Sequence, residues 1–199
     1  RLYDPTEGEI LLNGIDIRKY RYQDYIGIFS VVFQDFRLLA MPLGENVAGA
    51  AEYDRDRAAR CLADAGFEAR LDAMPKGLDT SLYKDLDKDG VEISGGEAQK
   101  IAIARALYKD APFIVLDEPT AALDPIAEAE IYARFDAIAG DKTAIYISHR
   151  LSSCKFCDEI AVFDQGAIVQ TGSHDALVAD AAGLYHKLWH AQAQYYTND

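Results

Sequence analysis

The sequence predicts an α/β fold with a parallel sheet core, an antiparallel β hairpin portion and an inserted α-helical subdomain. In the second half, the apolar runs "FIVLDEP" and "TAIYISH" flank the helical stretch "LDPIAEAEIYARFDAIAG". Strand, helix and strand with short connections are typical of a right-handed parallel layer. Apolar runs around Asn13-Gly14 and around Asp164-Gln165-Gly166 predict two hairpins. Helical periodicity from about 54 to 109 predicts a series of helices.

The individual elements follow from local signals. The run "IGIFSVVFQD" predicts a strand that ends at Gln34-Asp35, and the two later apolar runs predict strands buried on both faces. The helices are predicted from their periodicity and their end signals: "DRDRAARCLADAG" closed by Gly66, "FEARLDAMPKG" stopped by Pro75 and Gly77, one that begins at Ser94, one with Asp124 as N-cap and Gly140 past its end, and two short C-terminal helices around 175–179 and 184–194.

Length and charge restrict the function. A chain of 199 residues, half of them hydrophobic, can bury the core of one substantial domain. A formal net charge of −13 argues against a nucleic-acid surface and against docking onto anionic lipid. No stretch approaches the ~20 apolar residues of a membrane span. Any membrane role is therefore expected to come through a partner.

The cysteines give no disulfide framework. Cys61, Cys154 and Cys157 are odd in number, which favours a reducing compartment. The spacing in "CKFC" suits a redox pair or half of a zinc site, but no second pair completes four ligands. A structural role for Cys154 and Cys157 is the prediction.

Polar side chains follow the three predicted core strands. The first strand ends at Gln34, the second at Asp117-Glu118 and the third at Ser148-His149. One acidic pair could be a helix cap, but open α/β sheets bind ligands at the carboxyl ends of their strands. In phosphoryl transfer, Asp117 could hold Mg²⁺ through water, and Glu118 could polarise the attacking water. Gln34 could reach both the metal and the attacking water, and His149 could contact the terminal phosphate.

The stretch "ISGGEAQK" begins a helix. Ser94 and Glu97 form a capping box, which is its simpler interpretation. Gly95 and Gly96 each cost a helix roughly 1 kcal/mol relative to Ala and do not improve the cap. Two glycines do expose backbone N–H groups at a positive helix end, so an anion site is the favoured interpretation.

Several motifs, in order and spacing, resemble the nucleotide-binding domain of ABC transporters. They are "VVFQD", "ISGGEAQKIAIARAL", "FIVLDEPTAALD" and "AIYISHR". The resemblance covers nearly the whole chain and implies a P-loop NTPase-like fold. "YDPTEGEILLNGIDI" and "GSHDALVA" are most similar to exporter-type domains, in which the ATPase usually follows a transmembrane domain.

The resemblance implies a role for each matched position. Gln34 corresponds to the Q-loop glutamine of that family, and Ser94-Gly95-Gly96-Glu97 corresponds to its signature motif. Asp117 corresponds to the Walker B aspartate and Glu118 to the catalytic glutamate. Asp124 corresponds to the D-loop aspartate and His149 to the switch histidine. Glu97 replaces the usual signature glutamine. Residues 1–35 and 111–199 would belong to the RecA-like core and about 36–110 to the helical signature subdomain. The tract just after Asp35, up to about Val47, would receive the coupling helices of the transmembrane domains.

The lysine-bearing loop G-x-x-x-x-G-K-[ST] is absent from this sequence. "RLYDPT" resembles the tract that normally follows that loop, so the chain is interpreted as a fragment of a longer protein. The implied cofactors are ATP and Mg²⁺. The 199-residue chain alone, itself soluble, is expected neither to bind nor to hydrolyse ATP.

The resemblance also implies partners. These are the transmembrane domains, of the same or another polypeptide, and a second ABC ATPase domain in a head-to-tail dimer, without nucleic acid or direct lipid contact. The expected location is the cytoplasmic face of the cell membrane. Two alternatives are disfavoured by the sequence. A repair or chromosome-maintenance ATPase would carry a long coiled coil and a basic groove, and neither is present, while a non-catalytic module would lack Glu118 or His149, and both are present. A third, a soluble ABC protein of translation, would carry two such domains in one chain and stays open.

Overall fold

The computed structural model describes residues 3–120, 128, 131, 133–134 and 139–196, with side chains of the last helix described up to 192. The chain forms two compact units, Arg1–Ile147 and Ser148–Asp199. Residues 121–127, and with them Asp124, lie outside the described residues, as does most of the helix predicted there. The division into a core and a helical subdomain at 36–110 stays a prediction.

The first unit begins with the predicted hairpin. Strands β1 (Leu11–Leu12) and β2 (Ile15–Asp16) pair antiparallel, with Leu12 opposite Ile15. Asn13 and Gly14 take φ values of 52° and 74°. Two consecutive left-handed residues suit the tight turn that the Asn-Gly pair predicts.

The predicted parallel sheet is present and has the order β3-β4-β5. Its strands are β3 (Phe29–Val32), β4 (Phe113–Asp117) and β5 (Thr143–Ile147), and both pairings are parallel. The expectation of burial on both faces is wrong for β5, where Ile145 and Ile147 are each 46% exposed. In the described part of the chain β5 is an edge strand, and burial alternates along it as on a sheet covered on one face.

Five α-helices precede β4 within residues 3–120, which the structure describes without a gap. They are α1 (Tyr22–Gly27), α2 (Leu43–Ala48), α3 (Arg55–Asp64), α4 (Glu68–Asp72) and α5 (Gly95–Lys109). The predicted ends of α3 are confirmed, because Asp54 caps its first turn and Gly66 follows it with φ +75°. Helix α5 packs against β3, α2 and α3 and buries Ile101 and Ile103 completely. It therefore forms the centre of the unit.

The second unit contains the second predicted hairpin and the two C-terminal helices. Its elements are a 3-10 helix (Leu151–Phe156), β6 (Ile160–Asp164), β7 (Ala167–Gly172), α6 (His174–Ala179) and α7 (Leu184–Tyr196). Strands β6 and β7 pair antiparallel across Gln165-Gly166. Leu177 and Tyr185 of the two helices join a small apolar core with residues of the hairpin.

Candidate functional site

Glu118 is the point at which three segments of the first unit meet. It follows the last residue of β4 directly, and its Oε2 accepts a hydrogen bond from Gln34 Nε2 at 3.2 Å. Its backbone N–H donates to Ile147 O at the end of β5, at 3.0 Å. Its carbonyl accepts from Gln99 Nε2 of α5, at 3.2 Å. The structure thus brings together Gln34 and Glu118, as the strand-end argument predicts.

The backbone of Glu118 is in an uncommon conformation. Its φ is +46°, in the left-handed region that non-glycine residues rarely adopt. Gln99, which is only 3% exposed, donates a hydrogen bond to the carbonyl of Glu118 and so fixes this part of the backbone. Local strain at such a residue persists when surrounding contacts fix it. The direction of the Glu118 carboxylate therefore depends on α5 as well as on the sheet.

Gln99 is a site residue that the sequence analysis missed. A signal for it existed, because Gln99 lies at helical spacing from the buried Ala102 and Ile103. A polar residue on the buried face of an otherwise apolar helix needs a hydrogen-bond partner. The sequence could not say that this partner is Glu118.

Asp117 is the last residue of β4 and is half-buried beside Glu118. Within the part of the chain that is described, no cluster of three or more His, Cys, Asp or Glu forms a complete metal site. Magnesium does not need one, because it is held by one or two carboxylates together with phosphate oxygens and water. The oxygen donors of Asp117 and Gln34 fit that requirement.

Ser94 and Glu97 form the predicted capping box at the start of α5. Glu97 N donates to Ser94 Oγ at 3.3 Å, and Ser94 N donates to Glu97 Oε2 at 2.8 Å. Ser94 and Gly95 are exposed, and Gly96 is half-buried. The start of α5 is thus open to solvent while its cap is complete, so capping and anion binding are compatible.

Glu97 also contacts a cation that the sequence analysis missed. Arg70 Nε of α4 lies 2.7 Å from Glu97 Oε1, and the side chains are 37% and 27% exposed. The contact is an ion pair rather than an aligned hydrogen bond. Burial alone would raise the pKa of Glu97, but hydrogen bonds from Ser94 and the charge of Arg70 outweigh it, so the pKa is lowered. Glu97 therefore stays charged at neutral pH.

Arg105 of α5 makes hydrogen bonds that attach α5 to the tract following Gln34. Its Nε donates to Asn46 O at 2.7 Å and its Nη1 to Arg37 O at 3.2 Å. Asn46, which is 2% exposed, donates in turn to Leu39 O at 2.9 Å. The tract predicted to receive coupling helices and the helix that carries the signature motif are thus joined by several hydrogen bonds.

His149 belongs to the second unit and has an exposed side chain. Its carbonyl accepts from Gln192 Nε2 at 2.7 Å. Its role as a phosphate contact stays a prediction, and so does that of Asp124, which lies outside the described residues.

Cys154 and Cys157 pack against the apolar core of the second unit. Burial, with a smaller effect of Cys154, raises the pKa of Cys157 to about 11. Burial likewise raises the pKa of Cys154. Both thiols are therefore protonated at neutral pH and are poor nucleophiles or metal ligands, which favours the predicted structural role.

Replacing Ser94 by Ala is expected to lower the free energy of unfolding by about 1 kcal/mol, because one N-terminal amide of α5 loses its acceptor. Urea unfolding of the 199-residue chain followed by circular dichroism measures the change. Ser152→Ala, at an exposed serine of the 3-10 helix, is the control and should leave stability unchanged. Equal stability of both variants would contradict a capping role.

Glu97 is expected to give the chain a pH-dependent stability. Its folded pKa is lowered, so its contribution is complete above the unfolded value of about 4.3 and is lost as the pH falls through the folded value. Other carboxyls with lowered pKa also titrate, namely Asp16, Asp79, Asp87 and Asp110. These carboxyls titrate alike in the unmodified protein and in the Glu97→Gln variant, so the difference in stability between the two proteins isolates Glu97. The stability difference between the two proteins should shrink below about pH 4.3, and a constant difference would contradict this assignment.

Comparison with known proteins shows the family of this chain. The family model described as ABC transporter matches residues 1–121, more than half of the chain. The chain belongs to the ABC transporter family. An ATP-dependent lipid A-core flippase of Burkholderia orbicola (strain AU 1054) is 39% identical over 194 residues, 98% of this chain and 32% of the relative. A flippase of the same description from Pectobacterium atrosepticum is 40% identical over 194 residues, 96% and 32% of the two chains.

A solved structure of this transporter family shares the fold. A bacterial Atm1-family ABC exporter with ATP bound matches 97% of this chain and 33% of its own, with a TM-score of 0.87 and 36% identity. The chain spans about a third of the length of the relatives it matches. Among the described residues, no helix has the length and apolar character that crossing a membrane requires.

Proposed function

We propose that this chain is part of an ATP-binding and ATP-hydrolysing motor domain that powers export by an ABC transporter. The observation that carries the proposal is the hydrogen bond between Gln34 and Glu118 at the carboxyl end of the parallel sheet. It places an amide and a carboxylate together where α/β sheets bind ligands. The open N-terminus of α5 adds a second element suited to a phosphate.

The residues have distinct roles in this proposal. Glu118 polarises the attacking water, and Gln34 orients both that water and the carboxylate. Asp117, with Gln34, holds Mg²⁺, which when bound supplies charge neutralisation at the phosphates. His149 contacts the terminal phosphate, and Asp124 belongs to the nucleotide site. Because phosphoryl transfer depends on positioning and charge, these side chains suffice for this half of the site.

This chain is also proposed to contribute to the nucleotide site of a partner. Ser94, Gly95, Gly96 and Glu97 bind the γ-phosphate of ATP held by a second ABC ATPase domain in a head-to-tail dimer. The tract joined to α5 by Arg105 receives the transmembrane domains. The protein would then work at the cytoplasmic face of a cell membrane. The alternative, an ABC-type ATPase without a transporter, is less favoured because the named relatives are flippases and an exporter.

The test uses the extended protein, by which we mean a polypeptide that joins this chain to a preceding P-loop segment and its transmembrane domain. We expect Mg²⁺-dependent ATP hydrolysis by the extended protein in vesicles. Asp117→Asn should weaken Mg²⁺ binding and raise the Mg²⁺ concentration that hydrolysis needs, because one carboxylate ligand is lost. If the extended protein binds ATP and forms dimers yet hydrolyses none, the proposed function is wrong.

A further inference from the structure

A carboxylate at the start of α5 presents an electrostatic problem for phosphate binding. Glu97 lies in the first turn of the helix and is held there by Ser94. Its lowered pKa keeps it ionised at neutral pH. A fixed negative charge beside the proposed phosphate position would oppose the positive helix end that attracts the anion.

Arg70 supplies the opposite charge at this point. Its Nε contacts the carboxylate oxygen of Glu97 that does not take part in the capping box. The two oxygens of Glu97 thus have different partners, because Oε2 accepts from Ser94 N and Oε1 pairs with Arg70. The carboxylate is turned back toward its own helix.

Arg70 lies on α4, and contacts at the start of this helix fix its position. Phe67, which precedes α4, is 1% exposed and anchors it in the core. Lys100 of α5 donates to Gly66 O at 3.1 Å, which ties the start of α4 to the same helix that carries Glu97. Arg70 therefore lies on a segment whose start is held in the core and tied to α5.

We propose that Arg70 is a positioning residue that makes Glu97 compatible with phosphate binding at the signature motif, by neutralising its charge and holding it in the capping box. The inference rests on the proposed function of this motif. It explains how a carboxylate can occupy the place of the usual signature glutamine. A glutamine there could accept from Ser94 N without bringing a charge, and would have no need of Arg70.

The experiment is a double-mutant cycle in the extended protein, with kcat and KM for Mg²⁺-ATP as readouts. Arg70→Gln should lower kcat/KM on the order of tenfold, because an uncompensated charge faces the nucleotide. The loss should fall mainly on KM and should shrink at high salt. In the Glu97→Gln background, the same Arg70→Gln change should have no further effect. Arg70→Lys, which keeps the charge, should retain most of the activity.

Arg55→Gln is the matched control. Arg55 pairs with Asp79 at 2.7 Å in the same unit, so its loss leaves the charge of Glu97 compensated by Arg70 and should leave kcat/KM unchanged. An equal loss from Arg70→Gln in both backgrounds, or no loss in the unmodified protein, overturns the inference alone. A protein that hydrolyses no ATP before any substitution contradicts the proposed function and the inference with it.

Discussion

Replacing Glu118 by Gln in the extended protein is expected to lower ATP turnover by about 10²–10⁴-fold, the usual contribution of a positioned acid or base. The substitution keeps the shape of the side chain and an oxygen that can accept from Gln34, but it removes the negative charge that polarises water. Binding of ATP and closure of the dimer should persist, because neither needs that charge.

Single-turnover hydrolysis and nucleotide retention, measured on the same preparation, separate the two effects. Glu159→Gln, at an exposed glutamate of the second unit, is the control and should hydrolyse ATP at the unmodified rate. Near-normal turnover in Glu118→Gln would mean that the catalytic carboxylate lies elsewhere.

Replacing Gly95 by Asp is expected to abolish ATP-driven dimer closure while leaving the domain folded. Gly95 is the first residue of α5, where an acidic side chain is favourable for the helix itself. The same charge would repel a bound triphosphate. Turnover should therefore fall to background although unfolding by urea is unchanged. A Gly95→Asp protein that still closes on ATP would contradict the phosphate role.

A mixing experiment tests whether this phosphate belongs to the partner. One extended protein carries a substituted P-loop lysine and the other carries Gly95→Asp, so each alone should be inactive. In the mixed dimer one site carries both lesions and the other carries neither, and nucleotide trapping should return at the intact site. A mixture of two P-loop variants is the control and should trap nothing. If mixed dimers form and trap no nucleotide, the assignment to the partner's site fails.

The sequence by itself determined the features that depend on neighbouring residues. The turns at Asn13-Gly14 and Gln165-Gly166 follow from the two glycines and from Asn13, because these residues tolerate positive φ. The Ser94–Glu97 capping box follows from the spacing of its two members along one helix. The parallel strands could be predicted too, because two short apolar runs on either side of a helix allow few topologies. Helix α1 was missed, since it has no buried residue and hence no apolar periodicity.

The tertiary structure alone decided the contacts between segments that are distant in sequence. Sequence predicted that Gln34 and Glu118 would share one edge of the sheet, but the bond between them depends on the register of β3 and β4. Gln99 reaches Glu118, and Arg70 reaches Glu97, because helix packing sets which side chains face each other. Many polar pairs are compatible with the local patterns of one sequence. The tertiary packing of these segments selects among them, and that selection is a property of the fold of the first unit.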